Sequence, residues 1–298
     1  MKLSISNLEQ LSGVPVHTIR IWERRYNALE PLRSAGNTRY YTDQHLKRLL
    51  NIVGLNQAGL KISEACSLSE DEIDQYLARD LGTVIANSAT FEYYVSQLLK
   101  YGLAYEEQKF SELLDACILA NGVSLAYQEV VLPLLQRLGL MWRRDHICPG
   151  QEHFLSGIVR QKLMVVIDDI PFSAQNGPTW LLFLPEDEAH DIPLLFASYL
   201  LRVKGFKVLY LGGKVPLESV KDAYQSNKVN HMLFFLIRQR PLKEAEAYLS
   251  TLSEAFSESQ IYLAGNGKLI GELCLQPKMT WFSSIAEFQE LISNITHG

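Results

Sequence analysis

A glutamate and a histidine two residues apart, Glu188 and His190, are the pair in this sequence best suited to bind a metal ion. They follow an apolar run that begins at Trp180 and precede an expected helix. An imidazole binds a metal through one ring nitrogen, and a carboxylate bonded to the other nitrogen orients the ring. We therefore predict a metal ligand at His190, oriented by Glu188. An ordinary histidine at a helix start is the alternative.

A second polar group lies earlier in the chain. Trp142 ends one expected helix, and Glu152–His153 opens the next after nine intervening residues. A large aromatic side chain and a polar pair would then lie close together across a short loop. The alternative is packing alone, with Trp142 covering the helix ends while Glu152 and His153 face water.

The third group is basic and lies near the N-terminus. Residues 1–60 contain eight Lys or Arg and four Asp or Glu, a balance of +4, whereas the whole chain carries −5 and the remainder therefore −9. We call residues 1–60 the head and the remainder the body. The basic head and the acidic body predict a polyanionic partner at the N-terminal end only.

The basic residues are expected on a helix-turn-helix. Ser6 would cap a short helix that Gly13 ends, and a second helix would run from about His17 to Tyr26. Three residues at helical spacing should pack inward: Ile19, Trp22 and Tyr26. The first turn of this second helix could then enter the major groove of DNA.

A hairpin with arginines near its tip follows, turned by Gly36–Asn37, and Thr42 would cap the next helix. We interpret the hairpin as a wing. The predicted DNA-contacting residues lie on the second helix and on this wing: His17, Thr18, Arg20, Arg24, Arg25, Arg33, Asn37, Arg39 and Tyr40. A small helical domain with merely solvated arginines is the alternative.

Four amphipathic runs with short connections predict an antiparallel four-helix bundle in the middle of the chain. They cover Phe91 to Leu103, Tyr105 to Asn121, Leu125 to Met141 and Gln151 to Ile167. Pro133 should kink the third helix or lie near its start.

From Thr179 onward, apolar strands alternate with helices, which predicts a parallel sheet with helices on both faces. Strands are expected at Trp180 to Leu184, Lys207 to Leu211, His231 to Ile237, Gln260 to Ala264 and Met279 to Phe282. Ligands of such sheets bind beyond the carboxyl ends of the strands. That edge would carry Glu188, His190, Gly212, Gly213 and Gly265.

Several function classes are disfavoured. The chain of 298 residues has no GxGxxG or Walker loop, no Ser/His/Asp order and no suitable pair of carboxylates, so we do not expect an enzyme or a nucleotide-binding protein. No apolar run is long enough to span a bilayer, and the four cysteines form no CxxC pair. We expect a cytoplasmic protein without a membrane partner.

The N-terminal residues resemble the winged helix-turn-helix of MerR-family transcription regulators. The resemblance rests on Leu11–Val14, Thr18–Tyr26, Asn37–Tyr41 and Leu60–Ile62. It implies that a dimer recognises double-stranded operator DNA, with the helix and wing of each subunit on one half-site. No sustained heptad pattern follows Ser67, so the body of the protein should form the dimer or tetramer.

The bundle and sheet resemble the cobalamin-binding unit of methionine synthases and corrinoid proteins. The family's Asp-x-His-x-x-Gly motif corresponds here to Glu188–Pro193. The resemblance implies that His190 is the lower axial cobalt ligand. The chain also resembles the light-responsive, adenosylcobalamin-dependent carotenoid repressors, which share its MerR-like head, the glutamate of the motif and the spacing between Trp142 and Glu152–His153. This resemblance implies that Trp142, Glu152 and His153 lie over the upper face of adenosylcobalamin or methylcobalamin.

This chain departs from that family at three places. Pro193 replaces the motif glycine, Phe234–Phe235 stand where the family offers a serine to the nucleotide tail, and Arg143 replaces a histidine that caps cobalt after illumination, with His146 the nearest substitute. Light switching is therefore the inference that the resemblance supports least.

The predicted fold class is a multidomain α+β and α/β protein with a winged helix-turn-helix (residues 1–68), a linker (69–89), a four-helix bundle (90–170) and a Rossmann-like parallel sheet (176–298). The favoured function is a DNA-binding repressor that senses cobalamin. One alternative keeps the DNA binding but makes the C-terminal part a ligand-free domain for oligomerisation or partner binding. The other is a corrinoid enzyme or methyl carrier, for which 298 residues leave no room for a catalytic barrel.

Overall fold

A computed structural model describes residues 2–57, 59–69, 71–73, 75–76, 91–142, 148–171 and 177–295, without the side chains of residues 140–142. The chain forms two units, Met1–Val159 and Arg160–Gly298. The predicted linker lies largely outside the described residues.

The first unit begins with helices α1 (Ile5–Ser12) and α2 (Val16–Tyr26). Ser4, rather than the predicted Ser6, caps α1, because its hydroxyl accepts a hydrogen bond from Asn7 N–H. Gly13 ends α1 in the left-handed region at φ 72°. On α2 the prediction of three inward residues was only partly right. Ile19 is buried, whereas Trp22 and Tyr26 are half-buried, as is usual for large rings with polar edges.

The predicted wing is present as the antiparallel pair β1 (Leu32–Arg33) and β2 (Arg39–Tyr40). Helices α3 (Asp43–Gln57) and α4 (Ile62–Ser67) follow. The apolar face of α3 is buried, which gives the head its core.

The bundle begins in the first unit, and the unit boundary at Val159 falls inside its last helix. Its helices are α5 (Phe91–Leu103), α6 (Glu107–Asn121), α7 (Val123–Ala126), α8 (Leu132–Trp142) and α9 (Pro149–Asp168). A π-helical stretch, Tyr127–Val131, joins α7 to α8 just before Pro133. Proline has no N–H, and the wider turn accommodates the interrupted hydrogen-bond ladder. Pro133 thus lies near a helix start, as one of the two expectations had it.

The second unit is a parallel sheet with the strand order β4-β3-β5-β6-β7. The strands are β3 (Thr179–Pro185), β4 (Lys207–Val215), β5 (His231–Leu236), β6 (Gln260–Gly265) and β7 (Met279–Trp281). The helices are α10 (Ile192–Val203), α11 (Leu217–Gln225), α12 (Leu242–Ala255), α13 (Gly267–Ile270) and α14 (Ile285–Asn294). The strand order reverses between β3 and β5, and such a switch point is where open α/β sheets bind ligands.

The sequence placed the end of β4 too early. Gly212 and Gly213 lie inside the strand rather than in a loop beyond it, because irregular pairing lets β4 stay alongside β3 as far as Val215. Both glycines nevertheless lie toward the carboxyl end of the sheet.

Among the described helices, none is long and apolar enough to cross a membrane.

Candidate functional sites

The side chains predicted to contact DNA are mostly accessible. His17, Arg20, Arg24 and Arg25 are exposed on α2, and Thr18 is half-buried. Behind this surface the buried Tyr41 hydroxyl donates a hydrogen bond to Glu23 Oε1 at 2.7 Å. That bond ties α2 to the residue that follows the wing.

The wing residues contact one another. Arg33 Nη1 donates to Asn37 Oδ1 at 2.6 Å, and Asn37 has a left-handed backbone with φ 62°. Lys2 Nζ lies 4.5 Å from the centre of the half-buried Tyr40 ring, and Arg39 is exposed. The hairpin therefore presents a cluster of cations to solvent, which suits contact with a phosphate backbone.

Glu188 organises the carboxyl edge of the sheet. It is fully buried, and Oε1 accepts hydrogen bonds from the Ala189 and His190 N–H groups at 3.1 and 3.2 Å. Oε2 accepts from the Ile237 and Arg238 N–H groups at 3.0 and 2.8 Å. One carboxylate thus joins the loop after β3 to the loop after β5, at the switch point of the sheet.

The ionisation of Glu188 follows from these contacts. Burial raises the pKa of the carboxyl, but hydrogen bonds from the His190 ring and from the Arg238 and His190 backbones outweigh burial and lower the pKa to about 2. Glu188 is therefore an anion at neutral pH, and it favours an N–H at the facing ring nitrogen of His190.

His190 has the geometry of a preoriented ligand. Its ring is 55% exposed, and Nδ1 lies 2.5 Å from Glu188 Oε1. Because Nδ1 is engaged by the carboxylate, Nε2 is the ring atom suited to coordinate a metal. The following residue, Asp191, is fixed by Arg160 Nε at 2.9 and 3.0 Å from its two oxygens.

The predicted glycines support this edge through their backbones. A Cβ on Gly213 would lie 3.4 Å from the Glu188 carbonyl oxygen, and that carbonyl accepts a hydrogen bond from Lys214 N–H at 2.9 Å. Gly212 has φ 87°. Gly265 has φ 130°, and a Cβ there would lie 2.3 Å from the Leu236 carbonyl oxygen. Close packing of β6 against β5 thus explains Gly265 without a ligand.

The departures from the cobalamin-binding pattern have structural explanations. Pro193 lies in the first turn of α10, where a missing N–H costs nothing. Phe234 and Phe235 are buried, and their rings contact Phe183 and Phe282 at centroid distances of 5.7 and 6.3 Å. The His190 and Glu188 side chains fit an axial cobalt ligand and its partner, whereas the end of β5 is lined by aromatic rings rather than by a serine.

The bundle residues are placed only in part. Glu152 and His153 lie near the start of α9, and the His153 ring is 78% exposed with Nδ1 3.5 Å from Glu152 Oε2. Trp142 ends α8, but its side chain lies outside the described residues, as do Arg143 and His146. Their predicted approach to Glu152 and His153 stays a prediction.

Sequence reasoning missed the partners that hold the sheet edge. It did not single out Arg160, Arg238 or Arg240, although the last two follow directly after β5 at the switch point. Among the described residues, no group of three or more His, Cys, Asp and Glu side chains could hold a metal ion.

Together, these features define a basic winged helix-turn-helix followed by a helical bundle and a sheet of the corrinoid-protein type. The family profile of MerR HTH regulatory proteins matches residues 3–71, and that of the B12 binding domain matches residues 94–167. The fold is similar to that of the monomethylamine corrinoid protein of Methanosarcina barkeri, with a TM-score of 0.55 and 15% identity over 70% of this chain and 100% of that one.

Two relatives resemble the chain over most of its length. The HTH-type transcriptional repressor CarH of Myxococcus xanthus is 31% identical over 83% of this chain and 82% of its own. The repressor CarA of the same organism is 28% identical over 90% of this chain and 88% of its own. The chain therefore belongs to the family of MerR-type transcriptional regulators that carry a B12-binding domain.

Proposed function

We propose that this DNA-binding regulator is a repressor whose operator binding or oligomerisation is controlled by a cobalamin bound through His190. The observation that carries the proposal is the buried Glu188 carboxylate, which holds Nδ1 of an exposed imidazole at the switch point of the sheet. Such a carboxylate–imidazole pair fixes ring orientation and tautomer for metal coordination. When bound, cobalamin would supply a cobalt centre that can exchange a ligand.

The residues of the chain have separate roles in this proposal. His190 supplies Nε2, and Glu188 keeps the proton on Nδ1 and orients the ring. Trp142, Glu152 and His153 remain predicted ligand contacts on the strength of the family resemblance. The exposed arginines of α2, above all Arg20, contact the operator, and the wing residues Arg33, Asn37 and Arg39 position the head on the DNA backbone.

Ligand state would affect DNA binding through assembly. A dimer or tetramer brings several basic heads to one operator, so the apparent affinity depends on how many heads bind together. The relatives named above are transcriptional repressors, and we propose that this chain too has a regulatory rather than an enzymatic role, in the cytoplasm.

The test is direct. Purified full-length protein is mixed with adenosylcobalamin or methylcobalamin and passed through gel filtration. The expected result is a corrin absorption spectrum that elutes with the protein, together with a ligand-dependent change in elution volume. His190→Ala should lose the spectrum of the histidine-coordinated corrinoid, whereas His17→Ala, which removes an exposed histidine of α2, should keep it.

A ligand-free role is the second candidate, because the side chains of Phe234 and Phe235 are buried against other rings at the end of β5. On this alternative the second unit serves oligomerisation or partner binding. Protein that stays colourless while it still binds operator DNA would favour the alternative and contradict cobalamin sensing.

A further inference from the structure

Arg240, in the loop after β5, is a buried cation with an incomplete set of hydrogen bonds. Its side chain is only 10% exposed, and Nη1 lies 3.3 Å from Asp187 Oδ1. Nε and Nη2 are buried and have no hydrogen-bond partner among the described residues. A guanidinium has five N–H donors, and buried donors without an acceptor destabilise a fold. Two such donors on one buried cation indicate that an acceptor binds there.

The acceptor should be an anion, because the positive charge around Arg240 is greater than the negative charge of the one carboxylate in contact with it. Asp187 is half exposed and contacts only one guanidinium nitrogen. Arg238 donates from Nη1 to the Asp187 carbonyl at 2.9 Å and adds a second cation to the same loop. Burial raises the pKa of the nearby Tyr248, so this phenol is neutral. The N-terminus of α12, which begins at Leu242, adds the positive end of a helix dipole.

The position of Arg240 connects it with the proposed ligand site. The same loop supplies the Ile237 and Arg238 N–H groups that bind Glu188 Oε2. Glu188 in turn holds His190. A group bound by Arg240 would therefore share the carboxyl edge of the sheet with His190, at the switch point between β3 and β5.

We infer that Arg240 binds the phosphodiester of the nucleotide tail of cobalamin, an inference that rests on the proposed function. The phosphodiester is the anionic group of cobalamin, and a guanidinium fork matches two phosphate oxygens. Because Phe234 and Phe235 lie just before the last residue of β5, the polar contact that the strand lacks comes from this loop instead. Inorganic phosphate offers the same oxygens, so the test has to separate the two sources.

The test compares cobalamin with cobinamide, a corrinoid without the nucleotide tail and its phosphodiester. Full-length protein and its Arg240→Met variant are titrated with each corrinoid and followed by absorbance. The substitution should weaken cobalamin binding about tenfold or more, as expected for a lost charge-assisted hydrogen bond, and leave cobinamide binding within about twofold. Arg240→Lys keeps the positive charge but not the two-pronged geometry of the guanidinium. Its affinity for cobalamin should lie between those of the unaltered protein and Arg240→Met, and its affinity for cobinamide should not change. Lys207→Met, at the exposed amino end of β4, removes a charge elsewhere and should change neither affinity.

Equal effects of Arg240→Met on both corrinoids, or no effect on either, would overturn the inference. A third arm measures thermal stabilisation of the ligand-free protein by inorganic phosphate. Stabilisation that Arg240→Met abolishes, with unchanged cobalamin affinity, would overturn the assignment to the tail in favour of a free anion. If neither corrinoid binds to the unaltered protein, the proposed function fails, and the phosphate arm alone then decides whether Arg240 binds an anion. Should Arg240→Met not fold, the Lys variant decides by the same comparison.

Discussion

The surface proposed to contact DNA and the carboxyl edge of the sheet are built in opposite ways. On the head, the proposed DNA-contacting side chains Arg20, Arg24 and Arg25 are exposed and lie close together in sequence on one helix. At the sheet edge, exposed His190 depends on buried Glu188, whose other hydrogen bonds come from Ile237 and Arg238 nearly fifty residues away. Substitutions on the head should therefore change binding more than stability, and those at the edge should change both.

The largest effect is expected at the edge, from Gly265→Ala. The residue has φ 130°, and the added Cβ would lie 2.3 Å from a backbone oxygen. We expect a loss of roughly 3 kcal/mol or more in the free energy of unfolding of the second unit, measured by thermal or urea denaturation. Gly267→Ala is the matched control in the same unit, since this exposed glycine has no left-handed backbone and the atom nearest its Cβ position lies 3.8 Å away, so stability should change by less than about 0.5 kcal/mol. Equal stabilities of the two variants would contradict the close packing of β6 on β5.

Glu188→Gln should have the next largest effect. An amide NH2 would then face backbone N–H groups that now donate to a carboxylate, with a cost of about 2–3 kcal/mol at neutral pH. The folded-state pKa of about 2 lies below the ordinary value of 4.5. The stabilisation from the charge is therefore present above about pH 4.5 and is lost as the pH falls toward 2.

Urea denaturation of both proteins as a function of pH measures this difference. The gap between the unaltered chain and Glu188→Gln should narrow as the pH falls through that window. A gap that stayed constant down to pH 2 would mean that hydrogen-bond geometry, and not the charge, sets the cost.

Arg20→Ala tests the other side of the comparison. We expect operator affinity to fall about 10- to 100-fold, equivalent to about 1–3 kcal/mol, with little change in stability because the side chain is exposed. Electrophoretic mobility shifts at several salt concentrations provide the measurement. Loss of a phosphate contact would also lower the salt dependence, whereas loss of a base contact would relax sequence preference. Lys61→Ala, which removes an exposed charge near α4, should change affinity by less than about threefold.

The sequence predicted the two regions unequally, for a physical reason. Helix periodicity, glycine and proline positions and the local charge balance are encoded over a few residues, so the head and the alternation of strands and helices could be predicted closely. The predicted cap of α1 was wrong by two residues, and the predicted end of β4 was four residues before its actual end at Val215. Local sequence patterns determine the ends of helices and strands poorly. Glu188 and His190 were predicted as a pair. Their partners Ile237 and Arg238 were not, because bonds between two distant loops depend on the strand order.

The smallest effect should come from an ion pair inside the bundle that also reaches the head. Arg137 forms a bidentate pair with Glu92 at 2.8 and 2.7 Å and also reaches the Leu11 carbonyl at the end of α1, at 3.4 Å. A double-mutant cycle with Arg137→Met and Glu92→Gln should give a coupling free energy of about 1–2 kcal/mol. The pair Lys221–Glu218, whose carboxylate is exposed, is the control and should give at most about 0.5 kcal/mol.

The cycle also bears on how far the head is independent of the bundle. Arg137 belongs to α8, the helix that ends at Trp142, and Gln97 of α5 donates to the Leu50 carbonyl of α3 at 3.1 Å. These contacts connect the bundle to the turn of the helix-turn-helix and to its core helix. If Arg137→Met lowered operator affinity as well as stability, the bundle would help to orient α2, the helix proposed to contact DNA. Unchanged affinity would limit the pair to stability and leave assembly as the route from ligand to DNA.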